Sequence, residues 1–350
     1  MPLLLVGAAL ILDGMFRVVA HQSDLTRAEI FAIVGVRELL DENTLQDRPT
    51  DQSDDIRRAH AEILASVAEH NHDVSEELQI ALTDLSFTAG RVLDVTQPPA
   101  GANFIAESPL NAMLVKIHRS GDTGHPLDLV IGGFGVTARS AAALDSRLVG
   151  FMPQPDRPAP VVPLAILASA WNDQRVNAGR DSFPPGGNGR LELELFLADF
   201  GDAAWSANAV LIGFSGAEVI FADVRRQVVH GIEATDVPGG RLGPATPDSA
   251  FVLKARQTTA SAAQTNALVA DFTAVAGKTR VFPLYGAMSG KSAKLVGFVG
   301  ATVLAARNAG GADAHRLAVT VEPAFIIHST AWTDPAAAEN RYVHRIRIAR

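Results

Sequence analysis

Leu3–Leu12 (LLLVGAALIL), closed by Asp13 and continued by Phe16–Leu40 (FRVVAHQSDLTRAEIFAIVGVRELL), decides how the chain is read. Ten consecutive apolar or small residues open it, and no proline falls between Pro2 and residue 40. Proline in a first helical turn removes no helical hydrogen bond, so Pro2 suits a helix start. Downstream, Phe16, Val19, Leu25, Ala28, Ile30, Ile33, Val34, Val36 and Leu40 recur roughly three or four apart, the spacing of one amphipathic face. The reading is one long helix, apolar at its start and amphipathic beyond it. A membrane span needs about 20 apolar residues, more than this run holds. A secretory signal needs a basic leading region, yet the first basic side chain is Arg17. Three environments therefore stay open: burial in a globule, docking against another membrane helix, or an anchor whose upstream half precedes Met1.

The remaining composition sets bounds. The 350 residues suffice for two domains, and 47% hydrophobic against 19% charged residues is globular composition. Scattered glycine and proline suit turn-rich β structure. With no cysteine, disulfides, thiolate metal ligands and cysteine nucleophiles are excluded. The net charge of −8 is uneven: Asp41–Asp84 carries twelve acidic residues against three arginines. Such an acidic segment opposes nucleic-acid binding, which requires concentrated positive charge. The end, Arg341–Arg350 (RYVHRIRIAR), carries four arginines and is expected as a basic tail or a charge-protected edge strand.

Asp51–Asn71 (DQSDDIRRAHAEILASVAEHN) reads as a second helix, with acids in its first turn and an Ile56, Ala59, Ile63, Val67 stripe. Leu78–Phe87 alternates loosely. Met113–His118 and Leu127–Ile131 read as strands joined by a turn at Ser120–Gly124. Met152–Pro163 has five prolines in twelve residues, the stiff composition of a linker. Strands are then expected at Leu191–Leu197, Ala209–Gly213, Ala250–Ala255, Arg280–Leu284, Leu295–Leu304 and Leu317–Val321, with a short helix at Asp223–Gly231. The fold class is α+β: two helices, then two mostly antiparallel, sandwich-like β regions. The expected segments are the helix at 1–41, a helix plus first β region at 42–152, a linker at 153–163, a β-rich domain at 164–330 and a basic tail at 331–350.

Few motifs carry chemistry. Gly286–Ser292 (GAMSGKS) sets three residues between its glycines where a phosphate loop needs four, and strands flank it, so a hairpin is expected. Gly133–Ala138 (GFGVTA) has dinucleotide-loop spacing, but its acidic candidate, Asp156, sits in the Pro-rich stretch and no βαβ context surrounds it. A glycine-rich turn is the simpler reading. His60 and His70 lie ten apart, off any common helical face, and His70 and His72 close a helix, so no metal site is assigned. Glu192 and Glu194 share a strand face and, with Asp199 and Asp202, offer the paired carboxylates of a β-scaffold hydrolase. Their alternation with leucine equally describes a half-exposed strand. Asp13 either marks where the helix leaves an apolar layer or pairs with a charge on a partner. No catalytic or cofactor-binding residue is assigned, and no nucleic-acid or small-molecule partner.

These stretches together resemble the TadG-like proteins of Tad (tight adherence, Flp-type) pilus assembly systems, in the long form with an extra C-terminal domain. The resemblance runs through Leu5–Asp13, Arg27–Leu40 (RAEIFAIVGVRELL), Asn111–Arg119 (NAMLVKIHR) and Phe134–Ala142 (FGVTARSAA). It continues through Pro163–Asp173 (PLAILASAWND), Gly187–Leu197, Asn208–Gly213, Arg226–Ile232, Pro283–Gly290 and Leu295–Leu304, collinear over nearly the whole chain. Here IFAIVGV stands where the family has an alanine-rich run, and the family's basic upstream flank is missing. The resemblance implies a non-enzymatic envelope protein, anchored in the inner membrane by its N-terminal helix with its bulk periplasmic. It implies other Tad pilus or secretion components as partners, and no cofactor. The alternatives are a secreted β-scaffold hydrolase or a soluble binding module with a buried N-terminal helix.

Overall fold

A computed structural model describes residues 2–40, 45, 52–74, 79–95, 97, 103–120, 135–176, 191–197, 207–216, 218–244, 249–256, 261–309 and 316–349. The class is α+β, and the chain divides into two compact units. Residues 1–41, 50–145 and 346–350 form the first unit, and residues 42–49 and 146–345 the second.

In the first unit, helix α1 spans Pro2–Arg37 and α2 spans Gln52–Asp73. Strand β1 (Leu85–Val92) pairs with the short β2 (Phe104–Ile105) and with β3 (Ala112–Arg119), which pairs in turn with β4 (Val136–Asp145). All three pairings are antiparallel. The position beside β4 is taken by the last residues of the chain, where Arg347 Nε donates to Asp145 Oδ2 at 2.9 Å. Helix α1 lies along β3 and β4 and beside α2. The contact is close at Gly35: a Cβ there would come within 2.6 Å of Ile63 Cδ1 and 3.0 Å of Met113 Cγ. Helix α2 buries Ala59, Ile63 and Val67, three members of the expected stripe, together with Asp55. Its end is fixed by Asn71, whose amide exchanges two 2.8 Å hydrogen bonds with the backbone of Ile80.

The second unit runs β5 (Leu148–Phe151), β6 (Leu164–Leu167), α3 (Ala168–Val176), β7 (Leu193–Phe196), β8 (Ala209–Gly213) and α4 (Phe221–His230). It continues with β9 (Phe251–Arg256), α5 (Ala262–Ala274), β10 (Thr279–Ser289), β11 (Ser292–Asn308), β12 (Leu317–Pro323), β13 (Ile326–Ile327), β14 (Ala331–Thr333) and the start of β15 (Val343–Ala349), whose residues from 346 onward belong to the first unit. The main sheet has the order β10-β6-β8-β9-β11-β12-β7, and β10 also pairs with β11. Strands β10, β6, β8, β9 and β11 therefore close into a ring, with β12 and β7 as a flap. Pairing is antiparallel except for β6 with β10 and β13 with β15. The β content is mostly antiparallel, as expected, and a separate two-stranded sheet pairs β14 with β5.

The segment boundaries differ from expectation. The Pro-rich stretch is part of the second unit, with Ala159, Val161 and Val162 fully buried. Proline removes its own donor but holds the chain extended, so the intervening residues pair as a strand would. Ala159 N donates to Ile232 O at 2.8 Å, and Val162 N to Val281 O at 2.9 Å. The carbonyl of Ala159 passes so near Gly231 that a Cβ there would meet it at 2.2 Å, and Gly231 sits at φ 83°. That glycine both caps α4 and permits the close approach. The expected basic tail is likewise structured, as β14 and β15. The strands expected at Leu127–Ile131 and the turn at Ser120–Gly124 lie largely outside the described residues. The Gly286–Ser292 motif is the tip of the β10–β11 hairpin, turning at Gly290.

Candidate functional site

Helix α1 is inverted over residues 11–19. On a 3.6-residue helix, Ile11, Leu12, Met15, Val18 and Val19 fall within an arc of about 120°, and all five are 63–69% exposed. On the opposite side, Asp13 is only 4% exposed, and its carboxylate accepts a 2.6 Å hydrogen bond from Arg17 Nη2. Past Gln22 the sidedness becomes ordinary, with Ala28, Phe31, Ala32 and Val36 buried. Val19 and Ile30, grouped by spacing with one amphipathic face, are both exposed. Charged residues hold the inner side of the first half instead.

The charged inner face continues into a buried cluster. Asp24 and Arg119, 95 positions apart, are each 2% exposed. Arg119 Nη2 donates to Asp24 Oδ1 at 3.2 Å, and Arg119 Nε stands 3.1 Å from Asp24 Oδ2. Arg27 Nη1 donates to the same Oδ1 at 3.1 Å. One carboxylate thus answers two guanidiniums. Burial draws the Arg27 pKa down, Asp24 offsets this and Arg119 adds to it. His70 stands near, its ring edge-on to Phe31 at 6.4 Å. Burial first, then the charges of Arg27 and Arg119, lower its pKa and keep it neutral. His60, whose ring meets Phe87 edge-on at 4.4 Å, is lowered by burial alone. Nothing local in the sequence marks the Asp24–Arg119 pair.

The other sequence candidates are dispersed. His72 is exposed beside Asp73. Among the described residues no group of three or more His, Cys, Asp or Glu gathers in a metal-binding arrangement. Asp156 lies in a turn beside Arg157. Of the hydrolase candidates, Glu194 accepts from Arg307 Nε at 2.9 Å and Glu192 is buried, while Asp199 and Asp202 lie outside the described residues. The Arg307 contact engages one carboxylate of the pair that a glycosidase would need free. Gly133 and Phe134 lie outside the described residues, and Val136–Ala138 form the start of β4.

No family model, no curated protein and no solved structure matches the chain.

Proposed function

We propose that this protein is a non-enzymatic cell-envelope component of a Tad-type pilus assembly or secretion system, held at the inner membrane through α1 with its bulk on the periplasmic side. The supporting observation is the inverted first half of α1: five large apolar side chains face outward while Asp13 and Arg17 face inward. Transfer of each such side chain from water to an apolar environment gains about 1.5–3 kcal/mol, so the face is stabilised by lipid or by an apolar helix. The sequence Gly7-Ala8-Ala9 within the same helix supplies the small residues that let membrane helices approach closely. No helix among the described residues is long and apolar enough to cross a membrane, so the attachment proposed is docking through this face. The collinear resemblance to TadG-like proteins supplies the pilus context.

Fractionation of the natively expressed protein tests the attachment. The expected result is sedimentation with the membranes through a high-salt wash and release by detergent, with the bulk of the chain digested by protease added to intact spheroplasts. Release of the chain into the soluble fraction would overturn the attachment. Intact piliation and surface adhesion after deletion of the gene would overturn the pilus assignment.

A further inference from the structure

The outer face of the β9–β11 pair is basic around an apolar centre. The register sets Lys254 opposite Ser292 and Val252 opposite Lys294, and directly opposed residues of an antiparallel pair share a face. Alternation along β11 adds Val296 to that face, while Leu253, Ala255, Ala293 and Leu295 turn into the core. Val252 and Val296 are 54% and 55% exposed. Lys291 is exposed in the adjoining hairpin turn. Lys254, Lys291 and Lys294 are all exposed and form no ion pair or side-chain hydrogen bond with any described residue. Three lysines thus surround two uncovered valines.

A face of the opposite character lies on α2 in the first unit. The helix buries Ala59, Ile63 and Val67 on one side. On the other side Ala61, Ala65 and Ala68 are exposed, beside Leu64 at 40%. Glu62 and Glu69 border this strip, both exposed and with no ion pair or side-chain hydrogen bond to any described residue. Arg57 and Arg58, nearer the helix start, are answered by Asp54 and Asp55 of the same helix. Seven helical residues set Glu62 and Glu69 about 10 Å apart along one side. Diagonal neighbours across a strand pair, as Lys254 and Lys294 are, stand about 7–8 Å apart. Flexible lysine stems span the difference.

From this match we infer that the β9–β11 face of one copy of the chain docks on the α2 face of a second copy, lysines against glutamates and valines against the alanine strip. Charge complementarity selects the occupant: both faces belong to the same chain, and each leaves apolar side chains in water among unpaired charges of one sign. The two surfaces are different, so the contact is heterologous, and each copy keeps a free surface of either kind for further copies. A contact this small, with its charges at the rim, is weak and sensitive to salt. It does not involve α1, so its failure and that of the envelope reading are separable.

Sedimentation of the full chain over a concentration series tests it, in low salt and in a nonionic detergent that covers the exposed face of α1. The expected result is a reversible rise in mass with concentration, weakened about tenfold or more at about 0.5 M salt, where charges are screened within a few ångströms. Lys254→Glu/Lys294→Glu sets glutamates against glutamates, and Glu62→Lys/Glu69→Lys sets lysines against lysines. Each should weaken association about tenfold or more, since like charges brought together oppose docking. All four side chains are exposed, so both variants should keep the thermal transition of the parent chain. The decisive arm mixes the two variants. Each then meets its opposite sign on the other, and the mass should rise again, which a folding defect would not produce. Absence of association in the parent chain would overturn the inference, as would association indifferent to both reversals or a mixture that stays monomeric. Binding to phosphatidylglycerol vesicles that is lost in the lysine variant, with self-association unchanged, would assign the basic face to anionic lipid instead.

Discussion

The two halves of α1 share one helix and one sheet to lie on, yet they solve opposite problems. From residue 24 onward the inner face is mostly apolar, carrying Ala28, Phe31, Ala32 and Val36 together with the ion pairs of Asp24. From residue 11 to residue 19 the inner face is Asp13 and Arg17, and the apolar side chains point away. The second half is built for the fold of its own unit. The first half contributes little to that fold and presents a surface that water does not favour. Helical periodicity thus says how many faces a helix has, while its partners decide which face is turned in.

The largest expected effect is at the junction of these halves. Asp24→Ala would remove the carboxylate that Arg27 and the buried Arg119 share, a loss of about 3–5 kcal/mol. Urea denaturation, followed by a probe specific to the first unit, would read it. A loss below about 1 kcal/mol would mean the cluster does not hold the helix to the sheet. Next comes Gly35→Ala in the second half, where the added methyl meets Ile63 and Met113 at overlapping distance. Overpacking of this kind costs about 1–3 kcal/mol, and the same denaturation measures it, with Gly14→Ala as the control because its Cβ would meet nothing within 4 Å.

A pH titration sharpens the contrast further. His60 and His70 both have lowered pKa values, so the folded chain prefers them neutral. Well above the ordinary imidazole value of 6.5 neither folded nor unfolded chain binds the proton, and no stability difference arises. Below it the unfolded chain protonates first, so stability falls as pH drops through 6.5 and on toward the lowered folded values. Thermal melts between pH 7.5 and 5 would show the decline, and His70→Gln should lessen it, leaving the shares of His60 and His328. A decline unchanged in the variant would remove His70 from the account.

The smallest effect on stability belongs to the first half. Val18→Gln with Val19→Gln should shift unfolding by no more than about 0.5 kcal/mol for each site, as exposed positions do. The same pair should sharply reduce co-sedimentation with lipid vesicles. Strong destabilisation with unaltered sedimentation would mean that the exposed face belongs to the fold instead.

Much of the architecture was legible in the residues. The long N-terminal helix, the stripe of α2, the Ala209–Gly213 strand and the Gly-capped helix before residue 231 came from local rules of periodicity, capping and turn chemistry, and each appears in the structure. Helix α5 was not read, because AAQTNALVADFTA has weak sidedness. The β4 strand was obscured by the glycine motif before it. The proline-rich stretch misled for a reason with physical content: proline excludes helix and central strands, but it leaves alternate donors free to pair with a neighbouring edge. Of the features of α1, the apolar run was visible at once, and the Asp24–Arg119 pair was not, since its members lie 95 positions apart.

By itself, then, the sequence determined the local conformations, the α+β class and the absence of cysteine chemistry, because each depends on residues close together in the chain. The tertiary structure decided the rest: which side of α1 faces the sheet, that Asp24 meets Arg119 from 95 positions away, and that the chain's end returns to the first unit. Those outcomes rest on burial and on pairing between distant residues, where desolvation makes a charge or an amide worth satisfying, and no local pattern records them.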